Sequence, residues 1–388
     1  MKKICFVTTV SLTMKMFVVE IAKHLHTACG YDVTLICDTD EEFAASLPPY
    51  LHYIPVPMSR GIDLSGFRSV WQMFRIFRRE RFDLVQYSTP NAACYASIAT
   101  WLAGVKIRLY AQWGIRYIGL DGLSRKAFKM VEKMVCLLST HVRSQSPLNR
   151  RFVIDEKVCK KSKVSVIGIG GTIGVDLAQC DQVNAAASRV EIRARYHIPN
   201  DAFVYGFVGR INRDKGVNEL IEAFGKLREN HPQAYLLLVG GEDDKNPIDA
   251  RLMQVAKEDD RIVMTGSVPS DEVSAYMAAM DALVHPTYRE GFGKVIQEAM
   301  GMRLPVITTD IPGPSEVIED GVSGLLARVK DSDDLADKMA RLLTDPAMTK
   351  ALSEAGRTRA ETYFDRPIML RNIAEDMAAV FETREKGV

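Results

Sequence analysis

Short apolar runs separated by helix-length stretches recur in two series along this chain, and no other feature narrows its fold so far. In the first half "KICFVTT", "DVTLIC", "FDLVQY", "KIRLYAQ" and "KVSVIG" read as buried strands, each edged by turn or charged residues. Helical spacing fills residues 16–27 and 67–80 between them. The second half repeats the alternation with "FVYGFVG", "AYLLLVGG", "RIVMTG", "DALVHP" and "LPVITTD". Strands that alternate with helices imply parallel sheets built from βαβ units. The fold class expected is therefore α/β: two facing, Rossmann-like, doubly wound domains with a cleft between them. The glycine-rich "GIGGTIGVDLAQCD" loses periodicity and marks the division. It gives a first domain over residues 1–180 and a second over 181–365. The pattern after residue 331 is helical, and the closing helix, 366–388, is free to pack back on the first domain.

Composition excludes several classes. A chain of 388 residues is long enough for two ordinary cores, and 47% hydrophobic with 26% charged residues is ordinary for a soluble globular protein. The seven cysteines are scattered without a C-x-x-C pair, which argues for a reducing compartment and against a disulfide framework or zinc site. The opening apolar run is interrupted by Lys15 and lacks a small-residue cleavage site, so it reads as a first strand and helix rather than a leader. No stretch approaches the roughly 18 apolar residues of a membrane span. A cytoplasmic protein is expected.

Charge is divided unequally. Residues 1–180 carry 24 Lys and Arg against 14 Asp and Glu, whereas the remainder carries 26 against 35. Such asymmetry suggests that one half faces a polyanion or an anionic membrane surface, such as the inner face of the plasma membrane; the alternative is two domains that differ only in solvated charge. Lys126, Lys129 and Lys133, with Arg125 beside the first, recur at helical spacing and are candidates for lipid contact. No nucleic-acid partner is expected.

The chemistry concentrates in "HPTYREGFGKVIQEAMG". Val295, Ile296, Ala299 and Met300 define the apolar stripe of a helix beginning near Gly293, and Glu298 lies at its margin. An ionised carboxylate there suits two adjacent sugar hydroxyls, since it accepts from both. Glu290 precedes a tight turn, Gly291-Phe292-Gly293, whose backbone can approach a ligand closely; with Lys294 the helix N-terminus makes a positive concavity for an anion. A second group is "YGFVGRINRDKG". Its strand ends at Gly209, and Arg210 and Lys215 occupy the following loop, where open α/β sheets bind ligands. Two cations there suit a diphosphate. In the first half Gln112, Trp113 and Arg116 follow a strand, and Thr13 lies in "TTVSLTMKMF" after strand one. That segment lacks the glycines of a dinucleotide fingerprint, so no nicotinamide or flavin cofactor is expected. The acidic "GEDDKN" reads as a solvated turn rather than a D-x-D metal site, and no metal is expected.

With these residues in place, the chain resembles the retaining glycosyltransferases of family four, which have the GT-B fold. The E-x7-E motif of that family is matched by Glu290 and Glu298, its G-R-x-x-x-x-K-G by "GRINRDKG", and a third motif by "PVITTDIPGPSEVIEDGVSGLL". The resemblance implies that Arg210 and Lys215 hold a nucleotide diphosphate, that Glu298 grips the ribose hydroxyls, and that Glu290 contacts the donor sugar beside the turn amides. It also implies that backbone groups around Val268 meet the base. The opening segment resembles the branch acting on polyprenyl-diphosphate-linked sugars in bacterial surface polysaccharide assembly. Two positions depart from the pattern: "SLTMKM" replaces a glycine-rich loop, and Trp113 stands where many members carry a histidine. The activity so implied is metal-independent transfer, with retention, from a UDP-hexose or UDP-N-acetylhexosamine to a free or lipid-linked glycan. The alternatives are a nucleotide-sugar epimerase on the same scaffold and a sugar-binding chain without catalysis.

Overall fold

The computed structural model describes residues 1–58, 65–118 and 121–385. They form two compact units: Met1–Ile173 together with the chain from Pro367 onward, and Gly174–Arg366. Residues 174–180 pack with the second unit, where Leu177 and Cys180 of the short helix Leu177–Gln182 are buried.

The first unit is built on a seven-stranded, wholly parallel sheet. Its strands are β1 (Lys3–Val7), β2 (Asp32–Cys37), β3 (Leu51–Pro55), β4 (Leu84–Tyr87), β5 (Ile107–Gln112), β6 (His141–Ser144) and β7 (Val164–Ser165). They are ordered β3-β2-β1-β4-β5-β6-β7, so Ile4 lies beside Val33 on one side and Leu84 on the other. Chain order reverses at β1 and β4. One face is covered by the helices Ser65–Glu80, Pro90–Ala103 and Gly122–Leu138, whose Met73, Phe77, Ala96 and Val135 share a core with Val85 and Tyr87. On the other face Ile373, Met377 and Phe381 of the last helix, Arg366–Glu385, are buried with Ile4, Phe6, Leu25 and Leu35.

The second unit has six parallel strands: β8 (Phe203–Val208), β9 (Ala234–Val239), β10 (Ile262–Met264), β11 (Ala282–His285), β12 (Val306–Thr309) and β13 (Leu325–Ala327). Their order is β10-β9-β8-β11-β12-β13, with the reversal at β8 and β11. Tyr205 of β8 sits between Leu236 and Ala282. The helix Val217–Asn230 buries Val217, Leu220, Ile221, Phe224 and Leu227, the positions its apolar period marks. Both sheets are doubly wound, as the alternation of elements requires.

The two reversal strands of the second sheet are tied at their entry by a buried ion pair. Arg193, on the helix Ala185–Arg195, is 0% exposed and donates to Asp281 (2.8 Å) and to the carbonyls of Ala279, Pro199, Asn200 and Ala202. Asp281 also accepts from the Val204 amide at 2.7 Å, which joins the start of β8 to the start of β11. Removing one partner of a buried pair leaves a charge and several carbonyls unsatisfied. Arg193→Ala is therefore expected to lower unfolding free energy by about 3–5 kcal/mol, measured by urea denaturation; a change within 0.5 kcal/mol, the ordinary range for surface sites, would refute this role.

Candidate active site

Ligands in doubly wound sheets sit beyond the carboxyl ends of the strands where chain order reverses, because the loops there diverge and leave a crevice. In the second unit the loops in question follow β8 and β11. They carry Arg210 and Lys215 on one side and Glu290 on the other.

The two loops are stitched together. The Tyr288 amide and the Thr287 hydroxyl both donate to the Asp214 carbonyl, at 2.8 and 3.1 Å, and the Arg289 Nε donates to the Asp214 carboxylate at 3.0 Å. Gly216 sits at φ +68°, and a β-carbon there would meet the Pro286 carbonyl oxygen at 2.0 Å, so only glycine admits this approach. Asn212, 2% exposed, shapes the turn by accepting from the Lys215 amide at 3.0 Å. Gly313 serves the far side of the site: at φ +97° its absent side chain leaves room for the Gly291 carbonyl, 2.5 Å from where a β-carbon would stand.

This backbone brings Lys215 and Glu290 together as a direct ion pair, with side chains 20% and 25% exposed. Burial, the largest single influence, would raise the Glu290 carboxyl, but Lys215 and the neighbouring His285 together outweigh it and hold the group far below the usual carboxylate range. Beneath the pair lies His285, the last residue of β11, 1% exposed, with Nε2 3.7 Å from Glu290 Oε2 and neither ring nitrogen hydrogen-bonded among the described residues. Burial pushes its affinity for a proton below that of a free imidazole. An unpaired buried N–H of this kind costs about 1–3 kcal/mol.

The remaining expected residues take distinct places. Glu298 lies at the margin of the helix Lys294–Gly301, as its position in the apolar stripe requires, and pairs with Lys294 one turn earlier. Phe292 is 3% exposed and packs edge-on against Phe364 at 5.8 Å, so its ring anchors the turn and only its backbone faces outward chemistry. Gly293 caps the helix at φ +69° without a capping side chain; the Ile296 amide donates to the Gly293 carbonyl at 3.0 Å, which leaves the amides of Lys294 and Val295 to an outside acceptor. The Arg210 side chain is 71% exposed and bonds to Asp243 at 2.7 Å. Gly209 follows the end of β8 at φ +148°. Beyond β9 and β10 an open cavity of about 670 Å³ is lined by Gly240, Glu242, Lys257, Met264 and Gly266, and Val268 is half-buried two residues further on.

In the first unit the expected residues do not share one environment. Gln112 is 1% exposed and turned inward, donating to Glu132 at 2.6 Å and accepting from Ser144 at 3.3 Å. Trp113 packs on Phe17 with centroids 5.5 Å apart and lines a cavity of about 40 Å³ beside the Arg143–Asp376 pair. Arg116 is exposed and lies over the Phe128 ring at 4.5 Å. Thr13 is half-buried on the short helix Ser11–Phe17. At the reversal point itself Thr9 and Thr89 exchange a hydroxyl bond of 2.8 Å, and Thr89 holds φ +65°, unusual for a β-branched residue. The sequence offered no signal for that pair. Asp243 is a correction, since "GEDDKN" reads as solvated: this carboxylate is 12% exposed and binds both Arg210 and Asn212. Arg125 and Lys129 are a second correction, because both pair with Glu156 and are not free cations.

Comparison with known proteins follows the same division. Residues 188–359 match the family described as "Glycosyl transferases group 1", and residues 13–170 the "Glycosyl transferase 4-like domain". The capsular polysaccharide biosynthesis glycosyltransferase CapM of Staphylococcus aureus is 30% identical over 334 residues, 86% of each chain. The putative teichuronic acid biosynthesis glycosyltransferase TuaC of Bacillus subtilis is 34% identical, over 40% of this chain and 36% of its own. Among solved structures, Anabaena Alr3699/HepE in complex with UDP and glucose aligns with a TM-score of 0.80 at 20% identity, over 98% of this chain and 100% of its own, and the likeness is one of fold. On its likeness to CapM over 86% of each chain, its family matches and its two parallel-sheet units, this chain belongs to the family-four, group 1 glycosyltransferases, enzymes of the GT-B fold.

Proposed function

We propose that this glycosyltransferase moves a sugar from a nucleotide diphosphate sugar to a free or polyprenyl-diphosphate-linked glycan in surface polysaccharide synthesis, with retention and without a metal. The donor is a UDP-hexose or UDP-N-acetylhexosamine on this reading. The observation that carries it is the Lys215–Glu290 pair at the reversal point of the second sheet, on the loop that leads into the N-terminus of the helix Lys294–Gly301. The names of CapM and TuaC support the pathway, and the UDP bound by HepE supports the donor.

A donor diphosphate would draw Lys215 from Glu290 and meet the first-turn amides after Gly293. Negative charge grows on that diphosphate as the glycosidic bond breaks. Lysine and amides therefore stabilise the transition state more than the ground state, which is what accelerates the step. Glu290, relieved of Lys215, accepts from a sugar hydroxyl, and Glu298 accepts from the ribose once Lys294 yields. On this reading the lysine and the amides do the charge stabilisation that a metal would otherwise supply. Departure of the leaving diphosphate with attack from the same face is the family's route to retention.

Lys215→Ala and Glu290→Ala are each expected to reduce transfer by about 10²–10³-fold, with thermal unfolding showing both variants folded. The assay is product formation from a panel of UDP, GDP, ADP and dTDP sugars, with the anomeric configuration read by NMR. Turnover like the wild type's in either variant refutes the assignment. Product formed without any acceptor favours the epimerase reading, and tight donor binding with no turnover across acceptors favours a non-catalytic sugar-binding chain.

We propose also that the first unit rests on an anionic bilayer. Phe67 and Trp71 stand 76% and 60% exposed on the helix Ser65–Glu80, among Arg68, Arg75 and Arg78. On the helix Gly122–Leu138, Leu123, Met130 and Leu137 are exposed at seven-residue intervals between Lys126 and Lys133. Exposed apolar groups flanked by exposed cations suit a headgroup layer. No helix among the described residues is long and apolar enough to cross a membrane. Sedimentation with phosphatidylglycerol vesicles is expected to weaken with salt and with Trp71→Ala; absence of binding at low salt removes the proposal.

A further inference from the structure

His285 has no part in the transfer just described, yet it is built into the centre of the second unit. One face of its ring lies on Phe207, with centroids 5.7 Å apart and planes 14° from parallel. A phenylalanine or leucine would fill that place without leaving a polar atom unpaired, whereas here Nδ1 and Nε2 both lack a partner among the described residues. The charged groups that face the ring are Lys215, from the loop after β8, and Glu290, from the loop after β11. β12 contributes only the uncharged Thr308, whose hydroxyl donates to the His285 carbonyl at 2.9 Å. The 3.7 Å between Nε2 and Glu290 Oε2 is too long for a hydrogen bond and short enough to become one with a small side-chain rotation.

We propose that His285 becomes the cationic partner of Glu290 when a donor's diphosphate takes Lys215, so that donor binding is coupled to uptake of a proton. The inference rests on the nucleotide-sugar reading above. In the empty site lysine and glutamate cancel, and burial keeps the ring neutral. The diphosphate brings two negative charges and removes the lysine from Glu290. A half-buried carboxylate without a partner is costly, and every added anion raises the affinity of the neighbouring ring for a proton. One proton then moves from solvent to the free ring nitrogen, no other bond changes, and the ring closes on Glu290. Loss of the nucleotide product and return of Lys215 releases the proton. His285 touches Glu290 rather than the donor, and is a positioning residue.

The sign of the pH effect follows. The ring's proton affinity is depressed from the ordinary 6.5 before the donor binds, and the added negative charge of a bound donor would raise it. Donor affinity thus increases as pH falls through the window between those two values, by up to about tenfold per pH unit for one linked proton. It is level above and below that window.

Calorimetric titration of the full chain tests this, at pH 7, in two buffers of different ionisation heat, with UDP-, GDP-, ADP- and dTDP-glucose. These donors carry no phosphate that titrates near neutrality, so any proton taken up belongs to the protein. For the donor that binds, uptake of about 0.5–1 proton is expected in the wild type, and uptake near zero in both His285→Phe and His285→Gln. A purely packing role for the ring would not alter the proton count. Binding without uptake, or uptake that survives in both variants, overturns this proposal and leaves the donor reading intact. Binding by none of the four overturns the donor reading and this proposal with it.

Discussion

A lysine and a glutamate meet where the second sheet reverses its order, and neither can be left alone there. Each side chain is about three-quarters withdrawn from water, so each charge depends on the other. That mutual dependence explains why the surrounding backbone is so constrained. Asp214 gathers the amide of Tyr288, the hydroxyl of Thr287 and the guanidinium of Arg289, which fixes one loop to the other. Gly216 removes the side chain that would keep them apart. The Arg193–Asp281 pair does the same work at the opposite end of β8 and β11. An ion pair of this kind is well suited to exchange: a diphosphate offers the lysine more negative charge than one carboxylate does.

The two reversal points differ in chemistry. That of the second unit is charged, bordered by helix-terminal amides and by the loops after β9 and β10. That of the first unit is neutral, formed by Thr9 and Thr89 beside the helix Pro90–Ala103. The first unit also carries the exposed cations Lys126 and Lys133 on the helix Gly122–Leu138.

Much of this was legible in the sequence, for identifiable reasons. Buried strands such as "FVYGFV" and "AYLLLV" are continuous apolar runs because parallel sheets are covered on both faces. The strands that escaped notice are β3, β6 and β13. "LHYIP" is an edge strand with half its residues open to solvent, "HVRS" has one apolar side chain, and "LLA" is three residues long. Lys215, Glu290 and Glu298 were readable because loop position and helix period alone place them. Their partners were not. That Glu290 bonds Lys215 across 75 positions, or Arg210 bonds Asp243 across 33, depends on which strands are neighbours. His285 looked like the tail of an apolar run, and only burial shows that its nitrogens are unsatisfied. Phe292 was legible as part of a turn, but its anchoring against Phe364 was not.

The account stands on Lys215 and Glu290 acting as one unit toward the donor. A double-mutant cycle on kcat/KM, with Lys215→Met, Glu290→Gln and the pair combined, addresses that directly. If the two act together, the combined variant loses no more activity than the worse single one, a coupling of about 2–3 kcal/mol. Losses that simply multiply would mean that each residue works independently of the other, and the shared site described above would be wrong.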